Sequence, residues 1–225
     1  MPHDRAKSAA GLKALEFLTE GMVIGLGTGS TSQFFIKHLI EKCRNGFQIK
    51  AVATSIASET LAKEGGIPIV DIQSVDTLDL TVDGADEIDP EKRLIKGAGG
   101  ALMREKIIAS MSKEMIVIAD ETKLVKKLGK APLPIEVIPF AIKATEKHLS
   151  NLGYTGKWRT EPDTSPFVTD NHNWIFDLTL PSNIDPAEEH RKITQIPGVV
   201  DTGFFLNLAT RILIGQDDGS VVVQT

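Results

Sequence analysis

The stretch "MVIGLGTGSTSQFFIKHLIEKC", Met22 to Cys43, decides how this chain is read. A short apolar run (22–27) meets three alternate glycines, and "SQFFIKHLIEKC" then places Phe35, Ile36, Leu39 and Ile40 on one helical face. Gly25, Gly27 and Gly29 allow tight turning and close approach of backbone, and Ser30, Thr31 and Ser32 can cap the helix. Strand, glycine loop and helix in this order bring free N–H groups and a helix dipole to one point, which suits a phosphate. A dinucleotide loop is a poorer match, because Ser30 holds the last glycine position and "ATS" ends the next strand where a ribose-binding acid belongs. No Gly-Lys-Ser/Thr occurs, so the stretch is not a P-loop.

Working outward, "IKAVATS" (49–55), "IPIVDI" (67–72), "LDLTVDG" (78–84), "RLIKG" (93–97) and "MIVIAD" (115–120) read as further buried strands. "ALMREKIIASMS" is expected to form a helix with Leu102, Ile107 and Ile108 on its inner face. Alternation of this kind predicts a doubly wound, mostly parallel, Rossmann-like α/β sheet. Three prolines in "GKAPLPIEVIPF" mark a change of character. Beyond them the pattern reads strand (135–139), helix (140–151), strand (154–159), a hairpin pair around "TDNHN" (167–179), helix (185–195) and strand (199–205), a smaller ferredoxin-like α+β domain. The expected division is 1–130 plus 204–225 against 131–203, with "RILIGQDDGSVVVQT" a hairpin able to rejoin the first sheet.

"TVDGADEIDPEKRLIKGAGGALMREK" (81–106) carries the remaining chemistry. Asp83 and Asp86 should emerge at the C-terminal edge of a strand, where open parallel sheets bind ligands, with small Gly84 and Ala85 permitting approach. Lys96 then ends a strand, Gly97, Ala98, Gly99 and Gly100 offer backbone amides, and Glu105 rides the following helix. If the strands behind these loops are neighbours in one sheet, their tips converge on one crevice.

Composition limits the alternatives. The 225 residues are 41% hydrophobic and 24% charged, ordinary for a globular chain, with a net charge of −5. Scattered Lys and Arg argue against nucleic acid, and no apolar run is long enough to span a membrane. Cys43, the single cysteine, excludes an internal disulfide and fits a cytoplasmic protein. The five histidines show no metal-ligand spacing, and Lys96 competes with any Mg²⁺ at the two aspartates, so no metal and no cofactor are expected.

These segments, with "TSIASE", "IADETKLVKKLG" and "IPGVVDTGFF", make the chain resemble ribose-5-phosphate isomerase of type A nearly end to end. The resemblance implies interconversion of ribose 5-phosphate and ribulose 5-phosphate in the pentose phosphate pathway by a cytoplasmic homodimer or homotetramer without cofactor. It places substrate binding on Thr28, Gly29, Ser30 and Thr31, on Asp83, Gly84, Ala85 and Asp86, and on Lys96, Gly97, Ala98 and Gly99. It puts the proton acceptor on Glu105 and a further substrate contact on Lys123. Ala98 stands where many relatives carry glycine.

An enediolate route is therefore expected. Glu105 would shuttle the proton with a carboxyl raised by partial burial. Lys96 and the neighbouring amides would stabilise the oxyanion. Asp83 would open the ring while Asp86 binds hydroxyls, or the reverse, and Lys7 or Lys123 would assist the phosphate. The rival reading is a non-catalytic sugar-phosphate-binding module, which would need no Lys96–Glu105 proton machinery.

Overall fold

The chain begins with α1 (Asp4–Ala14), β1 (Val23–Leu26), α2 (Ser30–Arg44), β2 (Lys50–Ala53), α3 (Ile56–Glu64) and β3 (Leu80–Asp83). It continues through two short strands, β4 (Glu87–Ile88) and β5 (Leu94–Ile95), then α4 (Leu102–Met111), β6 (Met115–Asp120) and β7 (Leu133–Val137). The remainder is α5 (Ile142–Asn151), β8 (Thr155–Trp158), β9 (Trp174–Thr179), α6 (Pro186–Thr194), β10 (Val199–Thr202), β11 (Phe204–Phe205), β12 (Arg211–Gly215) and β13 (Val221–Gln224). The structure, a computed structural model, describes residues 3–225. Two compact units divide the chain: 1–85, 104–123 and 207–225 form the first, 86–103 and 124–206 the second.

The first unit is a six-stranded sheet in the order β13-β12-β6-β3-β1-β2, parallel except for the β12–β13 hairpin at one edge. Alternation along the strands sorts the side chains to two faces. Ile24, Leu26, Leu80, Val82, Ile116 and Ile118 pack with Phe35, Ile36 and Leu39 of α2 and with Ala10 and Ala14 of α1. A separate cluster gathers Val52 and Leu78 with Ile108 of α4. Helices cover both faces, and the chain passes from β1 to β2 on one side and then returns through α3 to β3 on the other. The β1/β3 boundary is thus the topological switch point, the place where such sheets bind ligands.

The second unit holds an antiparallel sheet, β10-β7-β9-β8, built by the strand–helix–strand–strand–helix–strand order expected of a ferredoxin-like unit. Its core combines Leu133, Ile135 and Val137 with Leu149, Tyr154, Phe176, Leu178 and Ile193. The strands β4 and β5 pair with β11 in a small antiparallel sheet of the same unit. Among the described residues, no helix is long and apolar enough to cross a membrane.

Several local expectations change. "IPIVDI" forms no ladder strand: Ile69 makes one isolated bridge to Ala51, Ile72–Ser74 is a 3₁₀ turn, and Pro68 has no N–H to donate. "RLIKG" contributes β5 outside the six-stranded sheet, so only two of the three glycine-loop strands are neighbours there. This pairing also carries 86–103 into the second unit, whereas a division drawn from the prolines stands near 131. In the "TDNHN" hairpin only β9 is a strand; the arm before it makes isolated bridges at Pro166 and Val168. Ile107 is 41% exposed, while Leu102 and Ile108 are buried. The inner stripe of α4 takes Glu105 instead.

Close packing of α1 on α2 begins at Gly11, where an added Cβ would lie 2.8 Å from the Phe35 backbone nitrogen and 3.1 Å from its Cα. Lys7 stands one turn earlier on the same side of α1. Gly11→Ala gains about 1 kcal/mol of helix propensity but forces the two helices apart, an overpacking cost of about 1–3 kcal/mol. The expected net result is a lower melting temperature; a variant as stable as the parent would contradict this packing.

Candidate active site

In the first unit the site starts at the loop between β1 and α2. Gly29 has φ 109°, a left-handed conformation that other residues rarely adopt, and it precedes α2 with no side chain capping the helix. The first amides of a fifteen-residue helix are therefore available to an anion at the positive end of its dipole. Lys7 of α1 reaches the same point, its Nζ donating to Ser30 Oγ at 3.1 Å. Ser30 is exposed, and Thr31, which follows it, is buried.

Thr28 faces inward. Its hydroxyl donates to Ser55 Oγ at 2.7 Å and lies 2.6 Å from Thr54 Oγ1. Ser55 in turn donates to Ser58 Oγ at 3.1 Å, and Ser58 donates to the Gly27 carbonyl at 2.7 Å. This chain of hydroxyls closes on the loop that it started from, and each bond polarises the next. Ser55 also caps α3 by accepting from the Ser58 N–H. Thr54, Ser55 and Ser58 were not singled out as site residues; the "TSIASE" segment carried the signal, a Ser-x-x-Ser cap directly after a strand.

Asp83, the last residue of β3 and 1% exposed, completes the loop from below. Its Oδ1 accepts from Thr28 N–H at 3.0 Å, Gly84 N–H at 2.7 Å and Ser32 Oγ at 3.3 Å. A Cβ at Gly27 would fall on this aspartate, 2.5 Å from its Cα, so the two strand ends approach as closely as they do only because Gly27 has none. Gly84 and Ala85 follow, half-buried. Lys123 ends a 3₁₀ turn just past β6, the strand paired with β3 on its other side.

Glu105 is held by α4 in its first turn and is 4% exposed. Ile108, three residues on and so on the same face, packs so near β1 that a Cβ at Gly25 would lie 2.5 Å from its Cγ2. A carboxylate thus occupies a stripe otherwise filled by Leu102, Ile108 and Ala109. Burying such a group costs several kcal/mol unless it is compensated, a cost that packing alone gives no reason to bear.

The second unit carries Asp86, Lys96 and the glycine turn. Lys96 is 2% exposed; its backbone N–H donates to Gly203 O at 2.9 Å and its Nζ lies 5.3 Å from the Phe205 ring centroid. Asp86 is half-buried, and its Oδ2 accepts from Ala98 N–H at 2.9 Å. Gly100 N–H donates back to Gly97 O at 2.9 Å, closing the turn, whose exposed residues are Ala98 and Gly99. Each unit therefore fixes its own glycine loop with an aspartate. Among the described residues, no three His, Cys, Asp or Glu side chains gather in a group that could hold a metal ion.

Thr28→Val keeps the shape of the side chain but removes one hydrogen bond from each of the Ser55 and Thr54 hydroxyls, which keep Ser58 and the Leu26 carbonyl as partners, a loss of about 0.5–1.5 kcal/mol per bond. A fall in the denaturation midpoint is expected; an unchanged midpoint would contradict the bracing role of the hydroxyl chain.

Residues 50–219 match a family described as ribose 5-phosphate isomerase A (phosphoriboisomerase A). Over 219 residues the chain is 52% identical to the ribose-5-phosphate isomerase A of Protochlamydia amoebophila, covering 97% of this chain and 94% of that protein. It is 49% identical over 214 residues to the Bacillus mycoides ribose-5-phosphate isomerase A, with 95% and 96% covered. A solved D-ribose-5-phosphate isomerase in complex with phospho-erythronic acid has a TM-score of 0.94 and 42% identity to this chain, covering 100% of this chain and 99% of that one.

Proposed function

This chain belongs to the ribose 5-phosphate isomerase A family, and from that premise we propose which of its residues bind the sugar phosphate and which move its proton. The activity is the aldose–ketose interconversion of ribose 5-phosphate and ribulose 5-phosphate. A binding module without turnover is not favoured.

The phosphate sits at the amino terminus of α2, taken by the amides of residues 29–31, the Ser30 hydroxyl and the Lys7 ammonium, with Lys123 as a second cation. Support comes from the uncapped helix end and the 3.1 Å contact between Lys7 and Ser30. Thr28 and Asp83 shape this loop from behind. Binding energy gained at the phosphate holds C1 and C2 in place and is thereby turned into rate.

Asp86 takes the O1 hydroxyl proton as the C1–O4 bond of the furanose breaks and delivers a proton to the departing O4, because only one of its oxygens is committed to Ala98. Asp83, with Oδ1 engaged by three donors, keeps the loop and orients a sugar hydroxyl. Glu105 then removes the proton from C2 of the open aldose. The electrons of that C–H bond form the C1=C2 double bond, and the negative charge moves to the C1 oxygen. Lys96 and an amide of the glycine turn stabilise that oxygen, each preorganised donor contributing about 3–4 kcal/mol. A proton passes from the C2 hydroxyl to O1, and Glu105 returns its own proton to C1, leaving the ketose. Every proton is returned, so no redox partner is consumed.

The observation that carries this reading is the buried Glu105 carboxylate in the inner stripe of α4. Glu105→Gln removes the base and keeps the shape. Turnover should fall by at least about 10²-fold while inorganic phosphate still inhibits as before; near-normal turnover would remove Glu105 from the role. Exhaustive chelation should leave the parent protein fully active in a coupled assay, and activity restored only by added Mg²⁺ would overturn the metal-free route.

We also propose that phospho-erythronic acid, bound in the neighbouring solved enzyme, inhibits this chain in competition with ribose 5-phosphate. Its carboxylate would stand in for the charged enediolate oxygens. Lys96→Met should weaken it far more than it weakens inorganic phosphate; equal weakening would remove Lys96 from the oxyanion site.

A further inference from the structure

We infer that Arg159 is a positioning residue for the isomerisation, aiming the Gly99 N–H at the reacting oxygen by holding the two carbonyls before it. Arg159 follows β8, and its guanidinium forks in two directions. Nε and Nη2 donate to Asp177 of β9 at 2.9 and 2.5 Å, while Nη1 donates to the carbonyls of Gly97 at 2.9 Å and Ala98 at 3.0 Å. The guanidinium also stands over the Phe167 ring, 5.6 Å from its centroid, and the Arg159 N–H is tied to Ile175 O at 2.8 Å. Phe167 in turn lies where a Cβ on Gly100 would be, so the same cluster grips the far end of the turn.

The consequence follows from peptide geometry. In a trans peptide the C=O and the following N–H point to opposite sides. Fixing Ala98 O on the guanidinium therefore directs the Gly99 N–H away from Arg159, and charge drawn from the carbonyl strengthens that N–H as a donor. Two of the other three amides of the turn are committed, Ala98 N–H to Asp86 and Gly100 N–H to Gly97 O. Gly97 is buried and Gly99 exposed, so the Gly99 N–H is the donor of the turn placed to meet a ligand.

Satisfying the carbonyls does not explain the arrangement. Ala98 is exposed, so water would serve its oxygen, yet an arginine only 17% exposed and paired to a carboxylate is spent on it. Lysine cannot substitute, since one ammonium cannot hold a carboxylate in a fork and two carbonyls together.

The inference rests on the oxyanion role proposed above for the glycine turn, and the test separates the two. Parent, Glu105→Gln, Arg159→Ala and Arg159→Lys are compared for kcat, KM, inhibition by inorganic phosphate and melting temperature, with and without added guanidinium ion. A displacement of about 1 Å at a catalytic group costs on the order of 10²-fold, so kcat of both Arg159 variants should fall about 10- to 100-fold. Phosphate inhibition should stay at the parent value, and guanidinium should restore kcat to Arg159→Ala but not to Arg159→Lys. If Arg159→Ala does not fold, the Lys variant reads the same kcat loss at near-parent melting temperature. Parent-like kcat in a folded Arg159 variant would overturn the inference, as would kcat and phosphate inhibition declining together without guanidinium recovery. A fault in the base assignment would appear separately, as an unimpaired Glu105 variant.

Discussion

One carboxylate oxygen holds the first unit's site together. Asp83 Oδ1 takes the Thr28 and Gly84 amides and the Ser32 hydroxyl at the point where β1 and β3 diverge. Glycine at 27 is the partner requirement, because any side chain there would occupy the aspartate's space. From this junction the loop turns through Gly29 into α2, whose amino terminus carries no side-chain cap. Three residues later Asp86 does comparable work in the second unit, holding Ala98 N–H and so the glycine turn that follows Lys96. The acidic run 83–86 is thus less a cluster of charges than two brackets, each fixing a glycine loop.

The pairing of glycine loops with buried carboxylates explains which polar groups are spent on shape and which on chemistry. Thr28, Ser55 and Ser58 form a closed hydroxyl chain and give the loop its rigidity. Ser30 and Lys7 are left at its mouth. Glu105 lies in an apolar stripe of α4, where burying a carboxylate carries a desolvation cost that a leucine would not. The role of base proposed for Glu105 rests on this contrast between polar groups that brace a loop and a carboxylate set in an apolar stripe.

Much of this was legible in the chain. The strand–helix alternation gave the parallel sheet, "RILIGQDDGSVVVQT" its edge hairpin, and the strand order after Pro132 the smaller α+β unit, because apolar periodicity records burial directly. The misplacements share a cause. "IPIVDI" and "RLIKG" have strand-like composition, but partners set by the rest of the chain decide whether a ladder forms. Ile107 reads as inward because an apolar side chain outranks a carboxylate in any reading of faces, and the fold buries Glu105 instead. The hydroxyl chain from 28 to 58 and the Arg159 clamp depend on contacts across 27 to 62 residues of sequence, which spacing does not encode.

The central claim is that one buried carboxylate relays hydrogen between C2 and C1 through an enediolate. Isomerisation run in deuterated water, with the sugar carbons followed by proton NMR, tests it most directly. The account predicts solvent deuterium entering at C1 of the ketose and C2 of the aldose in the parent protein, and exchange suppressed in step with turnover when Glu105 is glutamine. Exchange continuing at the parent rate in that variant would contradict it.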